Sequence, residues 1–573
     1  MRELSSYTIY KYYISIIMIA MVLFGSCSPV REYDVIIRHG TIYDGSGSAP
    51  YVGDVAILAD QIAALGALGN AKGKNEIDAS GLAIAPGFIN VLSWATDTLM
   101  VDGCSQSDIR QGVTLEIFGE GLSMGPVNEE MKKNWLAQQG DIKYDIPWNT
   151  LGQFLEHLIK RGISPNIASF VGASTIRVYV LGYENRPPSP KELERMCSLV
   201  KQAMEEGALG VGSALIYTPA CYAKTEELIA LCKVAATYNG AYISHLRSEG
   251  NNLLEGGDEL LRIAKEAGLP AEIYHLKAAG QANWGKLSAL IKKVEAARAA
   301  GIQITANMYT YTAAATGLDA AMPPWVQEGG LEEWIKRLKN PTIRHRVIRE
   351  MKTPAQDWEN LYYAAGSADR LLLTTFNSET LKPLIGKTLA EIAQWRGKSP
   401  EETVMDLVIE DGSRVGAVYF LMDETNVKKE IALPWVSFGS DECSAAPEGV
   451  FLKSAVHPRA YGNFARLLGK YVRDEKVIPL AEAIRKLTSL PAQNFKLTGR
   501  GRLKPGYYAD VVVFAPDKVL DHATYDKPHQ YATGMVHVFV NGIHTLKNGE
   551  HTGAKAGQIV RGPGWRSNKT STH

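Results

Sequence analysis

The chain has no surplus of charge: its 573 residues carry 61 Lys+Arg against 61 Asp+Glu. That balance gives no electrostatic reason to expect a nucleic-acid partner or strong attraction to an anionic membrane surface. Cysteine is scarce, with six in all, at 27, 104, 197, 221, 232 and 443, and none in CxxC spacing. So sparse a set excludes a disulfide framework, and the fold must stand on its core. Low-complexity tracts and short-period repeats are absent. Crossing a bilayer takes about 20 apolar residues, and the run from Ile14 to Phe24 is too short. The composition specifies no oligomeric state.

That apolar run has another use. Arg2 and Lys11 precede it and Gly25-Ser26-Cys27 follows, which is the layout of a secretory signal. A cysteine directly after small residues is similar to a bacterial lipobox, which implies lipidation of Cys27 as the mature amino terminus. Residues 1–27 are therefore expected to be a signal peptide. The mature chain is expected in the bacterial cell envelope, exported and lipid-anchored, facing the periplasm or the surface. The alternative is an uncleaved anchor with a chance cysteine.

From Tyr33 to Phe88 short apolar runs of period two are bounded by Gly and Asp, and the texture returns in Ala509–Phe514 and Val536–Gly542. This predicts a small antiparallel β-sandwich built from both chain ends, residues 33–88 and 491–563. Between them, over 89–490, apolar runs alternate with helical stretches such as Pro190–Glu206. Such alternation predicts an α/β fold, a (β/α)₈ TIM barrel. The Lys/Arg/Glu-rich stretch from about 329 to 370 breaks the rhythm and reads as a helical insertion over the active-site rim.

Two runs of the barrel segment end in histidine, Ala241-Tyr-Ile-Ser-His245 and Ala271-Glu-Ile-Tyr-His275, with a helical stretch between them. Histidines at the carboxyl ends of successive parallel strands share the rim where barrels keep their chemistry, and imidazole is a common zinc ligand. A third run, Trp435-Val-Ser-Phe-Gly-Ser-Asp441, ends in a carboxylate. Each histidine alone is equally an ordinary hydrogen-bonded rim residue; the three together point to a metal site.

The order of motifs resembles the amidohydrolase superfamily, and within it the N-acyl-D-amino-acid deacylase (D-aminoacylase-like) family. The residues that carry this are Tyr33-Asp-Val-Ile-Ile-Arg-His-Gly-Thr-Ile-Tyr-Asp-Gly45, Ala85-Pro-Gly-Phe-Ile-Asn90, Gln111-Gly-Val-Thr114, Gly207-Ala-Leu-Gly-Val-Gly-Ser213, Ser244-His-Leu-Arg-Ser-Glu-Gly250, Tyr274-His-Leu-Lys277, Gly439-Ser-Asp441 and Gly506-Tyr-Tyr-Ala-Asp-Val-Val-Val-Phe514. The resemblance implies a metal-dependent hydrolase of an amide C–N bond, deacylating N-acyl-D-amino acids or releasing a D-amino acid from a peptide-like substrate. A cyclic amidase is a variant of the same reading. The alternative from another class is a non-catalytic lipoprotein that binds small ligands in the same scaffold.

Two departures shape the expected site. The family's His-x-His after the first barrel strand is replaced by Leu92 and Trp94, neither able to bind zinc. Where the family places a cysteine ligand the chain has Glu120, after the apolar run Leu115–Phe118. Glu120, His245 and His275 then remain as metal ligands, a two-histidine, one-carboxylate set with a fourth position open. One Zn²⁺ per chain is expected, not two. Glu120 is alternatively an ion-pair partner of Arg247 or Lys277.

Asp441 is expected to act as general base and then acid on zinc-activated water, or otherwise as a structural ligand. An N-acyl amino acid brings a carboxylate, and Lys277 and Arg247 each lie two residues beyond a candidate histidine, on the same face if the strand continues. By resemblance Lys277 is the stronger substrate-binding candidate; Arg247 and Arg459 are weaker, and Arg247 is equally a partner for Glu249. Tyr309, in Asn307-Met-Tyr-Thr-Tyr311, is read as a hydrogen-bond donor to the substrate or as barrel packing.

Overall fold

The computed structural model describes residues 32–566. At its centre stand eight strands: β1 (Phe88–Asn90), β2 (Val113–Phe118), β3 (Asn166–Ser169, resumed at Val171–Gly172), β4 (Gly210–Ala214), β5 (Ala241–His245), β6 (Ala271–Ile273), β7 (Ile304–Met308) and β8 (Val436–Phe438). Each pairs in parallel with the next. Val91 N–H donates to Phe438 O at 3.4 Å, and Ser93 bridges Glu442, so the last strand meets the first. The ring is the expected (β/α)₈ barrel.

Local chemistry explains the alternation. Strands covered on both faces read as continuous buried runs, as Val113-Thr-Leu-Glu-Ile-Phe118 does. The helix Pro190–Glu206 shows how the outer layer is punctuated. Ser189 and Glu192 form a reciprocal capping box, Pro190 takes the first turn, and Gly207 ends the helix in the left-handed region at φ 105°. Its buried face, Met196, Leu199, Val200, Ala203 and Met204, recurs at helical spacing.

Both chain ends build one separate nine-stranded sheet. Glu32–Ile42, Tyr51–Leu58, Gln61–Gly66, Lys72–Asp78 and Ala83–Pro86 come from the amino side. Val511–Phe514, Met535–Val540, Ile543–Lys547 and Glu550–His551 come from the carboxyl side. The seam is the antiparallel pair Ala83–Pro86 with Val511–Phe514. The sheet is not antiparallel throughout, as period-two spacing had implied: Glu32–Ile42 runs parallel to Lys72–Asp78 and to Ala83–Pro86. Below the barrel, buried Asn166 at the start of β3 donates to Asp510 and accepts from Asn541, locking the sheet to the barrel.

The rim insertion is wider than the charge-rich stretch indicated. Between β7 and β8 lies an antiparallel three-stranded sheet, Ala313–Gly317, Leu371–Thr375 and Gly416–Phe420, with its own apolar core. The segment 329–370 supplies the helices Leu331–Leu338, Pro341–Met351 and Leu361–Ala365 of that unit. It reaches the barrel rim, where Asn251 and Asn252 donate to the Ala355 and Gln356 carbonyls and Glu359 accepts from Glu249 N–H. Cys27 lies outside the described residues.

Candidate metal centre

Three strands place the candidate ligands. β2 is followed by Gly119-Glu120-Gly121, and both glycines have positive φ, 110° and 66°. A Cβ on Gly119 would stand 2.4 Å from Phe170 O, so only glycine lets the chain turn there and carry Glu120 inward. β5 delivers His245 as its last residue. Just past β6 the backbone bends, with His275 at φ 32°, and Asn307 on β7 secures the bend by accepting from His275 N–H at 2.8 Å.

The three side chains converge. One ligand atom from each of Glu120, His245 and His275 lies within 4.8 Å of the others, the only such metal-competent group among the described residues. All three are buried. His245 Nδ1 faces the Leu246 carbonyl at 3.0 Å, which fixes its proton there and leaves Nε2 for a ligand. The His245 and His275 rings meet edge to face with centroids 4.6 Å apart. Glu120 Oε1 lies 2.7 Å from His275 Nε2. The donor set therefore fits a divalent cation with a preference for nitrogen and oxygen.

Behind the ligands stands a group that sequence reasoning had used only as a partner for Arg247. Glu249 Oε1 is 2.6 Å from Lys277 Nζ and 3.0 Å from His275 Nδ1, and its other oxygen is 3.5 Å from His245 Nε2. Burial opposes its ionisation, but His245, Lys277 and His275 hold it well below the usual carboxylate range. Burial and Lys277 disfavour charge on His275, yet Glu249 and Glu120 together push it up to about 9 in the protein alone. Burial lowers His245 to about 4. Glu249 is thus the negative partner of Lys277 and of His275 Nδ1, the nitrogen turned away from Glu120, and its other oxygen lies near His245 Nε2.

Asp441 follows β8 at φ 51°. Its Oδ2 takes an ion pair from Arg459 at 2.8 Å and its Oδ1 accepts from the Trp94 indole at 3.2 Å. Burial raises its carboxyl to about 6, countered by Arg459 and reinforced by Glu120. Arg459 is buried and lies over the Tyr309 ring at 4.3 Å. Its Nε and Nη1, like the Tyr309 hydroxyl, are buried without a hydrogen-bond partner among the described residues.

The other expected substrate contacts divide. Lys277 is present in the site but committed, donating to Glu249 and lying 2.7 Å from His275 Nδ1. Its far side borders a small crevice shared with Tyr309, Met422 and Glu430. Arg247 does not share His245's face. Its guanidinium is spent on both oxygens of Glu259 and on the Cys221 and Ala223 carbonyls, buttressing the loop after β4. β5 has already ended at His245, so strand alternation no longer aims the residue two positions on.

A barrel with histidines at or just past the ends of two adjacent strands, a carboxylate just past β2 and an aspartate after β8 has the layout of a metal-dependent hydrolase of the barrel type. The model of the amidohydrolase family matches residues 75–545, and the chain belongs to that family, enzymes acting on amide bonds. Within it the chain is similar to a D-aminoacylase of Alcaligenes xylosoxydans xylosoxydans, 31% identical over 93% of this chain and 99% of the relative. A solved D-aminoacylase, studied for its binuclear metal centre with one-metal activation and second-metal attenuation, superposes with a TM-score of 0.77 at 31% identity, covering 92% of this chain and 100% of that one. The N-acyl-D-glutamate deacylase of Bordetella bronchiseptica, solved with zinc and a phosphonate mimic of the tetrahedral intermediate, superposes with a TM-score of 0.76 at 28% identity, covering 93% and 100%.

Proposed function

We propose that the chain hydrolyses the amide bond of N-acyl-D-amino acids using a single divalent cation, zinc, held by Glu120, His245 and His275. The observation that carries this is the convergence of those three ligands beside a carboxyl raised to about 6, Asp441. A single ion is favoured because the rim positions of Leu92 and Trp94 offer no ligand atom. When bound, the cation supplies Lewis-acid chemistry, polarising an amide carbonyl and bringing the pKa of water to near neutrality.

The chain's own groups do the rest. Arg459 and Trp94 aim Asp441, which takes the proton of the attacking water at Oδ and returns it to the leaving nitrogen. The unsatisfied donors of Arg459 and Tyr309 suit the substrate carboxylate, since buried N–H and O–H groups are stable only when paired. Lys277 adds positive potential from behind while holding His275 through Glu249. We further infer that Cys27 is lipidated and the protein is held in the cell envelope, as the order of charge, apolar run and small residues supports.

The test is metal analysis of the purified protein together with turnover of paired N-acyl-D- and N-acyl-L-amino acids. About one zinc per chain and hydrolysis of the D-series are expected. Equal rates on both series would overturn the D-specific reading, and close to two tightly held ions would overturn the single-ion reading.

A further inference from the structure

Trp94 replaces a potential ligand, yet its side chain is not idle. It lies at the mouth of the site, 36% exposed, and its single N–H is shared between Glu120 Oε2 at 3.1 Å and Asp441 Oδ1 at 3.2 Å. The four oxygens of the two carboxylates are thereby divided. Glu120 Oε1 faces His275 and Asp441 Oδ2 faces Arg459, while the remaining two meet at the indole. Carboxylates brought this close repel unless donors offset their charge; Arg459 and His275 each meet one outer oxygen, and the indole N–H is the one hydrogen-bond donor that the two carboxylates share among the described residues.

The backbone makes this arrangement stiff. Trp94 N–H donates to Glu442 O at 2.9 Å, Asp441 N–H donates to Leu92 O at 2.8 Å, and Ser93 bridges Glu442. The segments after β1 and β8 therefore interlock on both sides of the indole.

We propose that Trp94 is a positioning residue that takes the place of a second cation between Glu120 and Asp441. By holding Oε2 it makes Glu120 a one-oxygen ligand, and by holding Oδ1 it keeps Asp441 aimed across the site. With the indole between Glu120 Oε2 and Asp441 Oδ1, the donor set left for a cation would be that of one ion, Glu120, His245 and His275. The proposal deepens the deacylase reading and rests on it for its kinetic arm only.

Trp94→Phe keeps an aromatic ring and removes the N–H; Leu92→His/Trp94→His puts imidazoles at both rim positions. Metal-stripped proteins are titrated with zinc against a chromophoric chelator, with tryptophan emission recorded and kcat and KM measured on one responsive substrate. In Trp94→Phe zinc binding is expected to weaken roughly 10-fold or more. The zinc-induced change in emission should disappear, and kcat should fall roughly 10–100-fold with KM within about threefold. The double variant should bind about two zinc ions where the parent binds one. Unchanged zinc affinity and emission response in a folded Trp94→Phe would overturn the proposal. So would a double variant that still binds one ion, and this arm decides if Trp94→Phe fails to fold. A parent protein that binds zinc but hydrolyses no N-acyl amino acid sinks the deacylase reading, while the affinity and stoichiometry arms still judge Trp94.

Discussion

Replacing Glu249 by Gln tests whether the candidate ligand His275 and its neighbour Lys277 are held by one buried negative charge. Glu249 and Lys277 are both buried and 2.6 Å apart, and the same carboxylate lies 3.0 Å from His275 and 3.5 Å from His245. Gln keeps the volume and removes the charge, leaving the Lys277 ammonium buried against an amide. Breaking one side of a buried pair costs about 3–5 kcal/mol, because the surviving charge has lost its compensation. Removing a partner behind a ligand also weakens metal binding about 10–100-fold. The assay is urea unfolding of the metal-stripped protein, read by circular dichroism, with zinc affinity from chelator competition. Glu249→Gln/Lys277→Met removes both charges, and it should recover half or more of the lost stability, since apolar replacement of a whole buried pair is often neutral. It should not recover zinc affinity, because His275 still lacks its anchor. A single variant that loses less than about 1 kcal/mol, or a double variant no more stable than the single, would refute a charge-balanced pair.

Asp441→Asn should keep its zinc and lower kcat by roughly 10²–10⁴-fold, whereas His275→Ala should lose the zinc; turnover within a few-fold of the parent would remove Asp441 from the proton path. Glu359, where the insertion grips the rim, has its carboxyl raised to about 7 by burial, with Ser248 opposing and the Glu249 charge adding to the rise. It binds its proton more tightly folded than unfolded, so the stability is fully present below about 4.5 and is lost as pH climbs through about 7. Glu359→Gln should therefore flatten the decline between pH 5 and 8, an effect of at most roughly 3 kcal/mol; an unaltered slope in unfolding experiments refutes this. Mass spectrometry of the protein from its native envelope should find no peptide running from Ser26 into Ser28, and abundant intact peptide would exclude Cys27 as the mature terminus.

How far the sequence could be read depended on whether the deciding contacts were local. The barrel and the sheet from both ends were legible because burial pattern and register act over a few residues, and the strand-end pattern was enough to name Glu120, His245 and His275, which the structure brings together. Beyond the strand ends the same rule divides two residues of like position. Arg247, past the end of β5, turns outward to Glu259, whereas Lys277 stays beside His275 because Asn307 on β7 holds the bend at His275. Nothing local in the sequence distinguishes these two outcomes; the deciding atoms sit on other elements. Glu249 was read as a partner for Arg247 for the same reason, since its actual partners His275 and Lys277 are brought to it by the segment after β6. Trp94 was legible only as a missing ligand. Its role as a donor requires Glu120 and Asp441, 26 and 347 positions away in the chain, to lie within reach of one N–H. A position without a ligand atom can therefore still belong to the site, because here the indole N–H joins the Glu120 and Asp441 carboxylates.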